Sequence, residues 1–313
     1  MLRTTAVIFC LATMLRLARR PFATSTSAPL LVNGAEALRL ASESSTRVLD
    51  CSWYVTDSHR GRAEFLRERI PHSQFFDIED IRDASSSLPH MLPSPEVFAA
   101  KVGALGVSSD STVLLYARKG SFSAPRAWWM FRVFGHDKVS ILDGGYEEWK
   151  RCGGGIATDN VRPPKPGKFT PNFRSKSVRN LVDMEKYVAE GGVQIVDTRP
   201  AERFLGQVEE PRGGLARGAM PGAINFPFTD VVEAEDFSKF KSPEEIRAAL
   251  SARGIDLKKD TVFTCGSGVS DALVSTCLHL IGENPGAVYD GSWAEWGSIE
   301  RLPKVRGDSP PSP

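Results

Sequence analysis

Residues 265–270 read CGSGVS: a cysteine at the end of the apolar run TVFT, with two glycines in the next three positions. A buried structural cysteine needs no glycines beside it. A thiol that must carry charge does, because glycines let a short loop turn its peptide N–H groups inward. The helical pattern DALVSTCLHLIG follows at once. Strand, tight loop and helix in that order put Cys265 at the carboxyl end of a parallel strand, where open α/β folds bind ligands. Inward amides and the positive end of the next helix are expected to lower the thiol pKa from its free value of about 8.5. Cys265 is therefore the candidate nucleophile, and Gly266, Ser267, Gly268, Val269 and Ser270 form its candidate cradle. The plain alternative is a small buried hydrophobe, the usual fate of a free cysteine; the glycine spacing argues against it. A phosphatase loop of the Cys-x5-Arg pattern needs an arginine to clamp a phosphoryl group. Asp271 stands in that place, and its charge would repel phosphate.

The elements that must hold this loop occur twice. Residues 111–149 have a counterpart in 260–296, and Asp50 and Asp197, Asp143 and Asp290, Trp149 and Trp296 are each 147 positions apart. RIPHSQFFDI (69–78) similarly resembles AMPGAINFPF (219–228). Each copy alternates short apolar runs with helical patterns: VLDCSW, TVLLYA and VSILDG in the first, VQIVDT, TVFTC and AVYDG in the second, separated by stretches such as PSPEVFAAKVGALG and KSPEEIRAALSARG. That alternation predicts an α/β fold of two tandem domains, each a parallel sheet with helices on both faces. Ala117, in YARKGS, takes the place of Cys265 in the first copy, so only the second carries a nucleophile. The Gly- and Pro-rich segment at 152–173 cannot hold a regular helix or central strand. The expected boundaries are a first domain at 31–151, a linker at 152–177, a catalytic domain at 178–302 and a tail at 303–313.

Composition limits the partners. The chain is 41% hydrophobic and 25% charged, with a formal net charge of +1. It carries no dense basic block after the first twenty residues, which argues against nucleic acid and acidic membrane surfaces. Cys10, Cys51, Cys152, Cys265 and Cys277 form no CxxC pair, and His59, His72, His136 and His279 show no ligand spacing, so neither a disulfide framework nor a metal site is expected. The first 29 residues hold Arg3, Arg16, Arg19 and Arg20 and no acid. This suits an organellar transit peptide, for a mitochondrion or, alternatively, a plastid. A secretory signal would use the run Thr4–Leu15, but its arginines lie on the wrong side, and the run is too short to span a bilayer.

The doubled pattern, with VLDCSWY, SLPHMLPS, APRAWWMFRVFGH, ILDGGYEEW, CGSGVS and VYDGSWAEW, resembles the tandem rhodanese-type sulfurtransferases over 31–302. The cysteine loop resembles that of the 3-mercaptopyruvate branch; the thiosulfate branch carries a cationic Cys-Arg-Lys-Gly loop. The resemblance implies a persulfide on Cys265 as the covalent intermediate, with no bound cofactor. Its sulfur donor is 3-mercaptopyruvate, released as pyruvate, with thiosulfate as the alternative donor. The acceptor is a thiol such as thioredoxin, or cyanide in a test tube. It implies that Arg203 (in ERF) and Arg212 (in EEPR) hold the substrate carboxylate and carbonyl, a task that suits planar guanidinium. Without the resemblance, both would read as surface arginines paired with Glu202, Glu209 or Glu210. It also implies a proton relay of Ser267, His90 and an acid at Glu79, where the family commonly has aspartate. Ser270 replaces a usual threonine, and Asp271-Ala-Leu departs from the usual small residues. Trp128, Trp129, Phe131 and Phe134 are expected to pack a core or domain interface. Cys51, Cys152 and Cys277 are expected to be non-catalytic, with Cys152 redox-sensitive if exposed. A non-catalytic persulfide carrier is the reading from another class; it leaves the arginine pair without a carboxylate to hold.

Overall fold

The computed structural model describes residues 28–307; residues 1–27, most of the expected transit peptide, and residues 308–313 lie outside the described residues. The first half contains β1 (Leu31–Val32), α1 (Gly34–Ala41), β2 (Thr46–Asp50), α2 (Arg60–Arg67) and β3 (Gln74–Phe75). It continues with α3 (Pro95–Ala104), β4 (Thr112–Tyr116), α4 (Ala124–Val133), β5 (Val139–Leu142) and α5 (Gly145–Arg151). The second half contains β6 (Val178–Arg179), α6 (Leu181–Glu190), β7 (Gln194–Asp197), α7 (Ala201–Phe204) and β8 (Ile224–Asn225). Then follow β9 (Val232–Glu233), β10 (Asp236–Phe240), α8 (Pro243–Ala252), β11 (Thr261–Thr264), α9 (Ser270–Leu280), β12 (Ala287–Tyr289) and α10 (Ser292–Trp296).

Each half forms one five-stranded parallel sheet flanked by helices, in the orders β1-β5-β4-β2-β3 and β6-β12-β11-β7-β8. The two orders are the same permutation, which is the repeat seen in the sequence. Strands β5, β7 and β11 are buried along their whole length, as near-continuous apolar runs in parallel sheets must be. The two Ser-Pro-Glu starts behave as written. Ser94 caps α3 by accepting the Val97 N–H, and Ser242 forms a reciprocal capping box with Glu245 at α8, each with proline in the first turn.

Two helices join the halves. All residues of α4 except Arg132 are buried, as are residues 270–278 of α9, and the two helices pack against each other. Trp128, Trp129, Phe131 and Phe134 share one apolar core with Leu273, Val274 and Cys277 of α9. The aromatic helix of the first domain is thus an interface helix. Residues 152–174 hold no helix; they cross the first domain, with Ala157 bridging Arg69 and Asn172 bonding Phe134.

The hairpin β9–β10 reaches back over the first domain. Gly144 donates to the Ser238 carbonyl at 3.0 Å, and the Phe240 N–H reaches the Asp143 carboxylate at 2.9 Å. Phe237 packs beside Phe122 and Phe228, over the loop that starts at Ala117. The loop that lacks a thiol is therefore covered by its neighbour.

Candidate active site

β11 ends at Thr264, and Cys265 is the first residue beyond it. Its N–H donates to the Ser292 hydroxyl at 3.2 Å, while Trp293 and Ala294 at the start of α10 donate to the Cys265 and Gly266 carbonyls at 3.0 Å. With those carbonyls drawn away, the loop turns its amides toward the sulfur. The turn itself is made at Gly268, whose φ of +81° favours glycine. The N–H groups of Ser267 and Gly268 come within 3.4 and 3.2 Å of Cys265 Sγ. Two amides on one sulfur form an anion cradle. The Ser270 hydroxyl favours charge on the sulfur and pairs with Thr198 at 2.8 Å. Val269 sends its side chain into the apolar core, so only its backbone belongs to the loop.

One expectation is corrected here. The thiol pKa is raised, not lowered. Cys265 is only 3% exposed, and burial, followed by the charge of the wholly buried Asp271, outweighs the amides and Ser270. The cradle is present, but it lies deeper than a rim loop and shares its space with a carboxylate.

Ser267, His90 and Glu79 lie far apart in sequence and meet across the domain boundary. His90 Nδ1 is 3.1 Å from Ser267 Oγ, and Nε2 is 3.1 Å from Glu79 Oε1. The Trp53 indole also donates to Glu79 Oε1, at 2.8 Å, and lies edge-on to His90. The His90 hydrogen bond, helped by Trp53 and opposed by burial, holds Glu79 at about 2. Burial pushes His90 down, keeping the imidazole neutral. A neutral ring that donates from Nε2 to Glu79 must accept at Nδ1, which orients the Ser267 hydroxyl proton toward it. The longer glutamate side chain spans the distance. Asp77 instead accepts the Glu79 N–H at 3.0 Å and stays out of the relay. His90 itself has φ +59°, a left-handed backbone that is strained for a histidine.

The two arginines differ. Arg203, on α7, is ion-paired to buried Glu210, which also takes Arg199 at 2.8 Å. Of the three acids expected as surface partners, Glu210 is the one used. The pairing anchors the Arg203 side chain against a buried acid that it shares with Arg199. A Cβ at Gly266 would sit 3.0 Å from Arg203 Nη2, so the guanidinium rests on the cysteine loop. Burial pushes Arg212 down, while the Cys265 sulfur and Glu79 favour its charge.

Sequence reasoning missed Arg126 and Asp290. Arg126, fully buried on α4, donates to the Gly268 carbonyl at 2.9 Å, to Asp290 Oδ1 at 2.8 Å and to the His90 carbonyl. Asp290 Oδ2 accepts the Leu92 N–H at 2.6 Å. The first domain thus grips both the cysteine loop and the histidine. The signal was present: an arginine in the apolar stretch APRAWWMF requires a buried partner. Phe237, which covers Ala117, stands 147 positions after His90, so the two domains exchange equivalent arms and only one arm carries an imidazole.

The remaining described cysteines do not converge on the site. Burial raises the Cys51 and Cys277 thiols, and the half-exposed Cys152 is raised by its bond to Glu148. Among the described residues, no group of three or more His, Cys, Asp or Glu side chains is arranged to hold a metal ion.

Comparison with known proteins adds the following. The family model for the rhodanese-like domain matches twice, at residues 35–152 and 180–299. Human 3-mercaptopyruvate sulfurtransferase is 40% identical over 266 residues, covering 84% of this chain and 89% of that protein. Bovine thiosulfate sulfurtransferase is 40% identical over 253 residues, covering 80% and 84%. Among solved structures, that of SseA, a 3-mercaptopyruvate sulfotransferase from Escherichia coli, superposes with a TM-score of 0.76 at 36% identity, covering 86% of this chain and all of that one.

Proposed function

The chain belongs to the rhodanese-like domain family and is a sulfurtransferase, and from that premise we propose that it moves sulfur from 3-mercaptopyruvate to a thiol through a persulfide on Cys265. The observation that carries the choice of donor is the cradle: two backbone amides on the sulfur, in a loop whose side chains bear no positive charge. Identity alone does not separate the donors, since relatives of both kinds are equally similar. A doubly charged thiosulfate calls for cations directly over the thiol. A keto acid carries its charge at the far end, where Arg203 and Arg212 are available.

In this reading the arginines fix the substrate carboxylate and carbonyl, which aims the substrate sulfur at Cys265. The Cys265 thiolate attacks that sulfur. The S–S bond forms, the C–S bond breaks, and its electron pair leaves as the pyruvate enolate. His90, through the Ser267 hydroxyl, takes the proton of the substrate thiol, with Glu79 stabilising the imidazolium that forms, and the same pair returns that proton to the enolate carbon to release pyruvate. The amides of Ser267 and Gly268 hold the charge of the persulfide. An acceptor thiol, with thioredoxin as the candidate protein, then takes the outer sulfur and restores Cys265, a two-step ping-pong scheme. No step calls for a bound cofactor. The arginine-rich presequence supports delivery to a mitochondrion, with a plastid as the alternative. Kinetics on both donors with one acceptor test the proposal. We expect kcat/KM for mercaptopyruvate to exceed that for thiosulfate by at least about tenfold; the reverse order would reassign the donor.

A further inference from the structure

Asp271 has no part in the reaction just described, yet it is a fully buried carboxylate beside the nucleophile. Its Oδ2 accepts the Ser292 hydroxyl at 2.9 Å, and that same hydroxyl lies 4.0 Å from Cys265 Sγ and accepts the Cys265 N–H. Its Oδ1 takes the Ala272 N–H at 2.7 Å, and the Arg126 guanidinium favours its charge. One hydroxyl therefore bridges two acids that share a single buried niche. Two like charges that close do not both form readily. The carboxylate has a hydroxyl, an amide and a nearby guanidinium on its side, whereas the sulfur has amides and the Ser270 hydroxyl.

We propose that Asp271 holds the resting Cys265 as a thiol, by occupying the niche with the one negative charge it readily accommodates. This inference rests on the reading of Cys265 as the nucleophile, and it makes Asp271 a tuning residue that acts through the sulfur without touching substrate. Burial pushes Asp271 up, and burial together with Asp271 pushes Cys265 up, the pattern expected of two acids competing for one site. The consequence is a nucleophile that resists electrophiles and oxidants at neutral pH, because the thiolate is the reactive form. When the thiol ionises, its proton passes to buffer and the sulfur keeps the electron pair; no other reactant is needed.

Other charged groups surround the loop: Arg203, Arg212 and Glu210 on the substrate side, His90 and Glu79 in the relay, and Arg126 with Asp290 at the domain interface. All remain in an Asp271 variant, so comparison with the unaltered chain isolates the carboxylate. Asp271→Asn keeps the shape, and Asp271→Ala supplies a second variant should the amide perturb folding. The test is the rate of Cys265 alkylation by iodoacetamide against pH, followed on the Cys265 peptide so that the other thiols do not count. Both variants are expected to shift the midpoint down by about 1 to 2 pH units, giving about 10- to 100-fold faster alkylation at neutral pH. A midpoint that stays in place or moves up in a folded variant overturns the proposal. Sulfur uptake from mercaptopyruvate is measured on the same samples. If Cys265 takes up sulfur but the midpoint does not move, only the role of Asp271 fails; if the unaltered protein takes up none, the assignment of the nucleophile fails instead.

Discussion

At the scale of single residues, Arg203 and Arg212 bring charge to a substrate whose own charge lies away from the reacting sulfur. Losing a charge-assisted bond of about 1.5 to 3 kcal/mol should weaken binding by about 10- to 100-fold. Replacing either with methionine is therefore expected to raise the mercaptopyruvate KM by that factor with a smaller effect on kcat; steady-state kinetics check it, and an unchanged KM in both variants would remove their role. The relay gives a separate expectation. Ser267→Ala removes the hydroxyl that meets His90 but leaves the Ser267 amide on the sulfur. Turnover should fall by about a hundredfold or more, while alkylation of Cys265 stays near normal. These roles were unevenly legible. Cys265 could be read from its glycines, but the relay could be assembled only through family resemblance, because no local pattern links positions 79, 90 and 267. Asp271 was legible only as a charge that would repel phosphate and as a departure from the usual small residues, because an acid in a first helical turn ordinarily faces solvent and the helix dipole. Here the first two turns of α9 are buried, so the acid was forced beneath the loop.

At the scale of elements, strand and helix were legible because parallel strands buried on both faces leave unbroken apolar runs, and because Ser-Pro-Glu marks a helix start. The cysteine loop was less so. Its shape depends on Gly268 and on a guanidinium from the other domain, and contacts made by one residue at a distance leave no periodicity. Gly268→Ala tests the loop. A Cβ there would lie 2.9 Å from Arg126 Nη1, at a φ of +81°. The left-handed backbone alone costs about 1 to 2 kcal/mol, and displacement of the loop should reduce sulfur uptake by about a hundredfold. Thermal unfolding and single-turnover rates read the two effects separately. Arg126→Met probes the same hinge from the other side. It leaves the buried Asp290 unpaired, which is expected to cost about 3 to 5 kcal/mol, measured by denaturant unfolding.

At the scale of the whole molecule, duplication explains why half the chain lacks a nucleophile and is still required. Each domain covers the other's loop with an arm; one arm brings His90 and the other brings Phe237. The repeat was plain in the sequence at a constant spacing, but the exchange of arms was not, because it depends on how two similar units face each other. The arrangement has a pH signature. His90 is kept neutral by burial, so its folded pKa lies below the unfolded value of about 6.5. The unfolded chain then binds the extra proton. The stability this contributes is present above about pH 6.5 and is lost as pH falls through the folded value. Relative to His90→Gln, which cannot titrate, the unaltered protein should lose thermal stability faster between about pH 7 and 5. Parallel melting curves would exclude a neutral histidine at the interface.

The most direct test of the central claim is a single turnover without acceptor. Protein mixed with mercaptopyruvate is read by intact mass and by pyruvate release, beside a Cys265→Ser variant. The account predicts one added sulfur per chain, located on the Cys265 peptide, with one pyruvate released, and neither in the variant. Sulfur or pyruvate appearing equally in the variant would contradict it, as would an unaltered protein that releases pyruvate without ever carrying the sulfur.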